Sequence, residues 1–202
     1  MINEVIYEAT GTRLSNPNSL IKSLEGRLKD TGIFSLSETG TNQLMWAHYA
    51  GESRGIALGF EVTEGSKLAN DAYCIAVNYC DELPEFKGEE LMSNWHMTVG
   101  KDKINISVQV PFDDPTFRMC VSTKPTDWKY EKEWRYIEET SGIHPFPSKL
   151  VEIIFGLRCT EKNRKKYKSL IRENFDYPIH FYEIVKKPNS NQIEKRVYDD
   201  DM

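Results

Sequence analysis

Glu131, Glu133 and Arg135 alternate along Trp128-Lys129-Tyr130-Glu131-Lys132-Glu133-Trp134-Arg135. A strand over this run sets two carboxylates and a guanidinium on one face. Carboxylates roughly 7 Å apart on such a face can shift one another's protonation or orient a ligand hydroxyl. The competing reading is a solvated ladder in which Arg135 neutralises its neighbours. Lys132, Trp134 and Tyr136 occupy the opposite face, which suits packing. About eighty residues earlier stands Leu44-Met45-Trp46-Ala47-His48-Tyr49-Ala50. A helix here arranges Leu44, His48, Met45, Tyr49 and Trp46 around one broad side, with His48 between apolar neighbours. In that position His48 is either a core histidine bonded to a backbone carbonyl or an acid/base and hydrogen-bond donor to a ligand. Trp46 and Tyr49 are packing residues or stacking residues on the same grounds.

The elements that must position these residues follow from periodicity and caps. Asn16-Pro17-Asn18-Ser19 starts a helix, Leu20, Ile21, Leu24 and Leu28 recur at helical spacing, and Thr31-Gly32 closes it. Gly32 to Ser37 reads as a strand, with Ser35 and Ser37 sharing a face. Several candidate caps between Ser37 and Asn42 precede a short helix over Gln43 to Ala50, stopped by Gly51. Strands are predicted over Arg54 to Glu61, Ala72 to Tyr79, Glu133 to Glu138, Leu150 to Phe155 and Ile179 to Val185, with an edge strand over Ile193 to Tyr198. Helices are predicted over Lys87 to Lys103, Asp113 to Ser122 and Thr160 to Phe175. Interspersed strands and helices without strict alternation indicate an α+β fold, a single domain over 1–202 with a mixed, mostly antiparallel sheet and flanking helices.

The bulk properties narrow the function classes. A chain of 202 residues with 39% hydrophobic and 28% charged residues has the makeup of a soluble globular protein. Its net charge of −5 argues against nucleic acid as a partner. The basic run Lys162-Asn163-Arg164-Lys165-Lys166-Tyr167-Lys168 reads as the solvated face of a helix, and the acidic tail Tyr198-Asp199-Asp200-Asp201 as a frayed end. There is neither a membrane-span-length apolar run nor a secretory leader pattern, so no membrane association is expected. Cys74, Cys80, Cys120 and Cys159 show no CxxC spacing and fit reduced, mostly buried thiols, which points to the cytoplasm. His48, His96, His144 and His180 have no ligand spacing, so no metal site is expected. P-loop, G-x-G-x-x-G and G-x-S-x-G motifs are absent. Oligomeric state is not set by these features.

Taken in order, the motifs resemble the DUF2971 family, a bacterial domain of unknown function. The matching residues are Phe34-Ser35-Leu36-Ser37, Leu44 to Ala50, Gly55 with Gly59-Phe60, Val77-Asn78-Tyr79, Lys124, Trp128 to Arg135, and Val151-Glu152-Ile153-Ile154-Phe155-Gly156. The family's Tyr-Lys-Tyr strand and FNDPFE segment are missing or altered, with only Val5-Ile6-Tyr7 similar to the first. Arg54 stands where the family has a histidine. The resemblance implies an accessory protein of mobile elements or phage-defence loci and carries no settled activity. The residue order is also similar to that of ADP-ribosyltransferases, with Tyr7, then Ser35 and Ser37, then Glu131-Lys132-Glu133. That likeness implies NAD as cofactor or substrate. Glu133 then opposes the oxocarbenium-like charge, Glu131 steers the acceptor and His48 serves as acid/base. Ser35, Ser37 and Arg135 hold the cofactor, while Tyr49 or Trp46 stacks on nicotinamide. The alternative is a non-catalytic module in which the same residues bind a small molecule, nucleotide or protein.

Overall fold

A computed structural model describes residues 17–85, 95–99, 104–108 and 110–199. The expected Val5-Ile6-Tyr7 strand, the start of the Lys87 to Lys103 helix, its last four residues and the end of the acidic tail lie outside the described residues. The fold is α+β, with helices beside mixed sheets. By backbone proximity the chain forms two compact units. The first comprises Met1–Ser35, Asp71–Thr126 and Arg135–Ile143; the second comprises Leu36–Asn70, Asp127–Trp134 and His144–Met202.

In the first unit, α1 (Pro17–Asp30) ends with Arg27 and Lys29 in its last turn, where positive charge complements the helix dipole. Thr31 caps it by donating from both its amide and its hydroxyl to the Arg27 carbonyl, at 3.1 and 2.7 Å. Leu24 is buried and Leu28 packs beside it, whereas Ile21 is exposed. Helix α3 (Pro115–Ser122) is started by Asp114, whose carboxylate accepts from the Thr116 and Phe117 amides at 2.9 and 3.0 Å. Pro115 fits the first turn because no partner is needed for its missing N–H. Leu24, Val110, Phe117, Val121 and Ile137 form the core of this unit.

Strands β1 (Gly32–Ser37), β3 (Cys74–Ala76) and β8 (Glu133–Glu138) form a sheet in the order β1-β8-β3, with Leu36, Ser37, Glu133 and Trp134 counted in the second unit and the rest in the first. The predicted Ala72 to Tyr79 strand is divided, its end being β4 (Asn78–Tyr79), which pairs in parallel with β7 (Thr123–Lys124). One expectation is overturned. Residues 95–99, predicted as helix, are strand β5 (Trp95–Val99), antiparallel to β6 (Ile104–Val108). Trp95-His96-Met97-Thr98-Val99 and Ile104-Asn105-Ile106-Ser107-Val108 also alternate with period two, and pairing of the two segments decides between periods that one segment leaves ambiguous.

The second unit holds a four-stranded sheet ordered β11-β10-β9-β2, from β2 (Ile56–Phe60), β9 (Leu150–Phe155), β10 (His180–Lys186) and β11 (Ile193–Val197). The β2–β9 and β10–β11 pairs are antiparallel, and β9–β10 is parallel, joined through α4 (Glu161–Asn174). A parallel pair needs such a crossover. Neighbours Ile153 and Ile154 on β9 point to opposite faces. Ile154 joins Trp46, Ile184 and Ile193 in one cluster, while Ile153 joins Leu150, Phe155 and Cys159, with Tyr167 and Ile171 of α4 packed against them. The sheet is therefore covered by α2 (Gln43–Tyr49) on one side and α4 on the other.

Within the basic run of α4, Lys168 is 9% exposed and departs from the expected solvated face. Its ammonium lies over the Phe181 and Tyr198 rings, 5.3 and 5.4 Å from their centroids. Arg164 is also drawn inward, forming a 2.7 Å ion pair with Glu183. No described helix is long and apolar enough to cross a membrane.

Candidate functional site

Asn42 fixes one end of the site. Its side-chain oxygen accepts from the Leu44 and Met45 amides at 2.9 and 3.2 Å, starting α2. Its amide nitrogen donates to the Tyr130 carbonyl at 3.0 Å, so the cap also binds the late run. Ser37 Oγ donates to the Glu131 carbonyl at 2.6 Å. Tyr49 Oη donates to Glu131 Oε1, also at 2.6 Å. Trp46 anchors the helix from beneath: it is 4% exposed, and its indole donates to the Gly40 carbonyl at 2.8 Å. A Cβ on Gly40 would stand 2.7 Å from Ile154 Cδ1, so this loop runs close over the sheet. The Trp134 indole donates to Glu38 Oε1 at 2.8 Å.

Two expectations about these runs are corrected. Glu131 does not lie on a strand with Glu133 and Arg135. It ends a three-ten helix, Thr126–Glu131, and Lys132 follows in the left-handed region at φ 45°. The alternating row therefore breaks at Lys132, and strand β8 starts only at Glu133. Neither carboxylate forms a solvated ladder, since Glu131 is 2% and Glu133 7% exposed. The second correction concerns His48, which is exposed on the solvated side of α2 rather than packed in an apolar arc. Seven residues make two turns, and Trp46 is the buried residue among them, while Leu44 and Tyr49 are half or more exposed.

That exposure creates a ring surface. The His48 and Tyr49 centroids are 6.2 Å apart, His48 and Trp128 6.3 Å, and Trp128 and Tyr130 6.1 Å. Tyr49 is 60% and Trp128 36% exposed. The two runs thus meet as an exposed aromatic platform of inclined rings, at 63° between His48 and Tyr49 and 56° between His48 and Trp128, held by buried Glu131 and by backbone bonds. Ser37, Trp46, His48, Tyr49, Glu131 and Glu133 all belong to this unit. Ser35 and Arg135 belong to the other. Ser35 is exposed, and Arg135 donates to the Val121 carbonyl at 2.6 Å, near the end of α3. Asn42 and Trp128 were not assigned site roles by sequence reasoning. The cap position signalled Asn42, and Trp128 stood in the late run, but only their placement joins them to α2.

After α2 the chain turns through three consecutive left-handed residues, Gly51, Glu52 and Ser53, at φ 55°, 56° and 65°. The Ser53 amide returns to the Trp46 carbonyl at 2.9 Å, and the Gly55 amide to the Ala50 carbonyl at 2.8 Å. These bonds terminate the helix below Tyr49 and redirect the chain into β2. A hydrogen bond and the charge of Arg54, aided by Arg158, hold the Glu52 carboxyl below its usual range. Among the described residues, no group of three or more His, Cys, Asp or Glu side chains is placed to hold a metal ion.

The segment from Met45 through Tyr136 contains the platform and both buried carboxylates. It matches the family model of DUF2971, described as a protein of unknown function, over residues 45–136. The resemblance is to DUF2971. This match bears out the family likeness carried by the two runs, and the strands around Ser35 and Ile153 fall outside it. No curated protein matches the chain, and no solved structure does. The DUF2971 match encloses His48, Tyr49, Trp128, Glu131, Glu133 and Arg135, but it supplies no reaction.

Proposed function

We propose that this protein is a cytoplasmic, nucleotide-binding module, with NAD as the ligand to test, and that the ligand's planar ring stacks on Trp128 with His48 and Tyr49 at its edge. The exposed ring surface carries this reading. Aromatic area held in contact with water has a solvation cost that a stacked ligand removes, and base–aromatic stacking contributes about 1–3 kcal/mol per ring. Tyr49 is held by Glu131 and α2 is held by Asn42, so two elements of the platform are ordered before a ligand arrives. Such preorganisation lowers the entropy cost of binding. His48 adds a hydrogen-bond donor or acceptor at the ring edge.

The second reading is NAD hydrolysis or ADP-ribosyl transfer by a defence effector. Its support is the acidic pair Glu131 and Glu133 near the platform's sequence run. A reacting carboxylate must reach the ribose hydroxyl or face the developing positive charge. The burial of both carboxylates and the Tyr49–Glu131 bond favour a supporting role in the ligand-free protein.

Calorimetric titration with NAD, coupled to assay of nicotinamide release, separates these readings. The binding reading expects saturable binding, at least tenfold weaker in Trp128→Ala, with NAD recovered intact. Nicotinamide release that disappears in Glu133→Gln supports the enzymatic reading instead. Absence of binding by the wild-type protein at millimolar NAD defeats both.

A further inference from the structure

A cavity of about 560 Å³ opens in the second unit, between the C-terminal part of α4, the loop leading to β10, and strands β10 and β11. Its lining is separate from the platform. Lys168 and Arg172 enter from the helix, and Phe175, Tyr177 and Phe181 supply ring surface. Cavities of about 300–1,000 Å³ with apolar walls and a few convergent polar groups are the usual form of small-molecule sites.

The charge distribution selects a ligand class. Lys168, Arg172 and His180 line the cavity against one carboxylate, Asp176. Lys168 is 9% exposed, and the Phe181 and Tyr198 rings confine its ammonium at the wall. A confined cation loses less entropy on meeting an anion than one swinging in solvent. The carboxyl end of α4 opposes an anion, with a dipole equivalent to about half a charge. Two of its carbonyls are already occupied, at Leu170 by the Asn174 side chain and at Ile171 by the Phe175 amide. Two full positive charges on Lys168 and Arg172 outweigh that half charge.

We infer that this cavity is a second ligand site, for a small flat ring bearing a phosphate or carboxylate, with the anion at Lys168 and Arg172 and the ring against Phe175 and Tyr177. The site is independent of the platform reading. Ring and anion demand different walls, and the cavity offers cations from α4 and rings from the segment that follows it. Its volume suits a ligand of mononucleotide size.

The test titrates the whole protein with 5′-UMP for the phosphate source and 4-hydroxybenzoate for the carboxylate source, followed by calorimetry. The expected result is saturable binding of at least one probe, weakened about ten- to hundredfold by Arg172→Gln, the loss of a charge-assisted contact. Arg172 is exposed, so this variant keeps the fold. Lys168→Met is expected to give a similar loss, with its folding checked by circular dichroism. Glu64→Gln, at an exposed residue outside both sites, is expected to leave probe affinity within twofold. Absence of binding by either probe at millimolar concentration overturns the inference. So does binding that Arg172→Gln leaves unchanged, or that Glu64→Gln abolishes.

Discussion

Replacing Tyr49 with phenylalanine removes one hydroxyl and leaves the ring. That hydroxyl donates to Glu131 Oε1 at 2.6 Å. Hydrogen bonds to charged groups contribute about 1.5–3 kcal/mol. Glu131 is 2% exposed, so water does not readily replace the lost donor, which favours a substantial loss. Tyr49 is 60% exposed and Glu131 has further interactions, which hold the loss to the lower part of that range. The expected destabilisation is about 1.5–2 kcal/mol. Urea unfolding followed by tryptophan fluorescence measures it, because buried Trp46 lies beneath the same helix. In a Glu131→Gln background the bond is neutral, and Tyr49→Phe should cost no more than about 1 kcal/mol. A cost below about 0.5 kcal/mol in the native background, typical of an unengaged surface site, would refute the coupling of the two runs through this bond.

Asn42→Ala should destabilise by about 1–2 kcal/mol through loss of the cap and the Tyr130 contact, measured in the same urea assay. Asn42→Asp keeps the cap and should recover part of it. Gly156→Ala places a Cβ 2.3 Å from the Ser53 carbonyl oxygen, and the required backbone shift should lower stability by about 1–3 kcal/mol, seen as a reduced urea midpoint. Burial works against charge on Glu183, but hydrogen bonds and charge from Arg196 and Arg164 prevail and hold its carboxyl below the usual carboxylate range. A lowered folded-state value means the stabilisation is complete above the unfolded value of about 4.3 and is lost as pH falls through the folded value. Urea midpoints measured from pH 7 to pH 3 should therefore fall less steeply in Glu183→Gln than in the wild-type protein.

Local signals located most elements. The Gly32–Ser37, Glu133–Glu138 and Leu150–Phe155 strands coincide with their predicted limits, as their apolar and β-branched residues are bounded by turn residues or changes in pattern. Thr160 announced a helix start, and the candidates from Ser37 to Asn42 included the cap of α2, because capping depends on residues within one turn. What was not legible depended on distant partners or a single dihedral. Residues 95–99 pair with a segment beyond an intervening loop, and only that pairing makes them a strand. Lys132 carries no composition signal for a left-handed conformation, yet its φ of 45° removes Glu131 from the expected row. His48 stands in an apolar sequence setting, but α2 rests on its sheet through Trp46 and leaves the histidine in solvent. Tyr49 and Glu131 do meet, but as donor and buried acceptor, with Trp128 and His48 forming the exposed surface.

The location of NAD on the protein tests the central claim most directly, by NMR titration of assigned side-chain resonances. NAD stacked on the platform should give progressive, saturable shifts of the Trp128 indole, His48 and Tyr49 ring signals, with little change at the hydrogen-bonded indoles of Trp46 and Trp134. The adenine or nicotinamide protons should move upfield through stacking on Trp128. Unchanged His48, Tyr49 and Trp128 signals at saturating NAD, or shifts confined to Phe175, Tyr177 and Phe181 of the cavity, would contradict it.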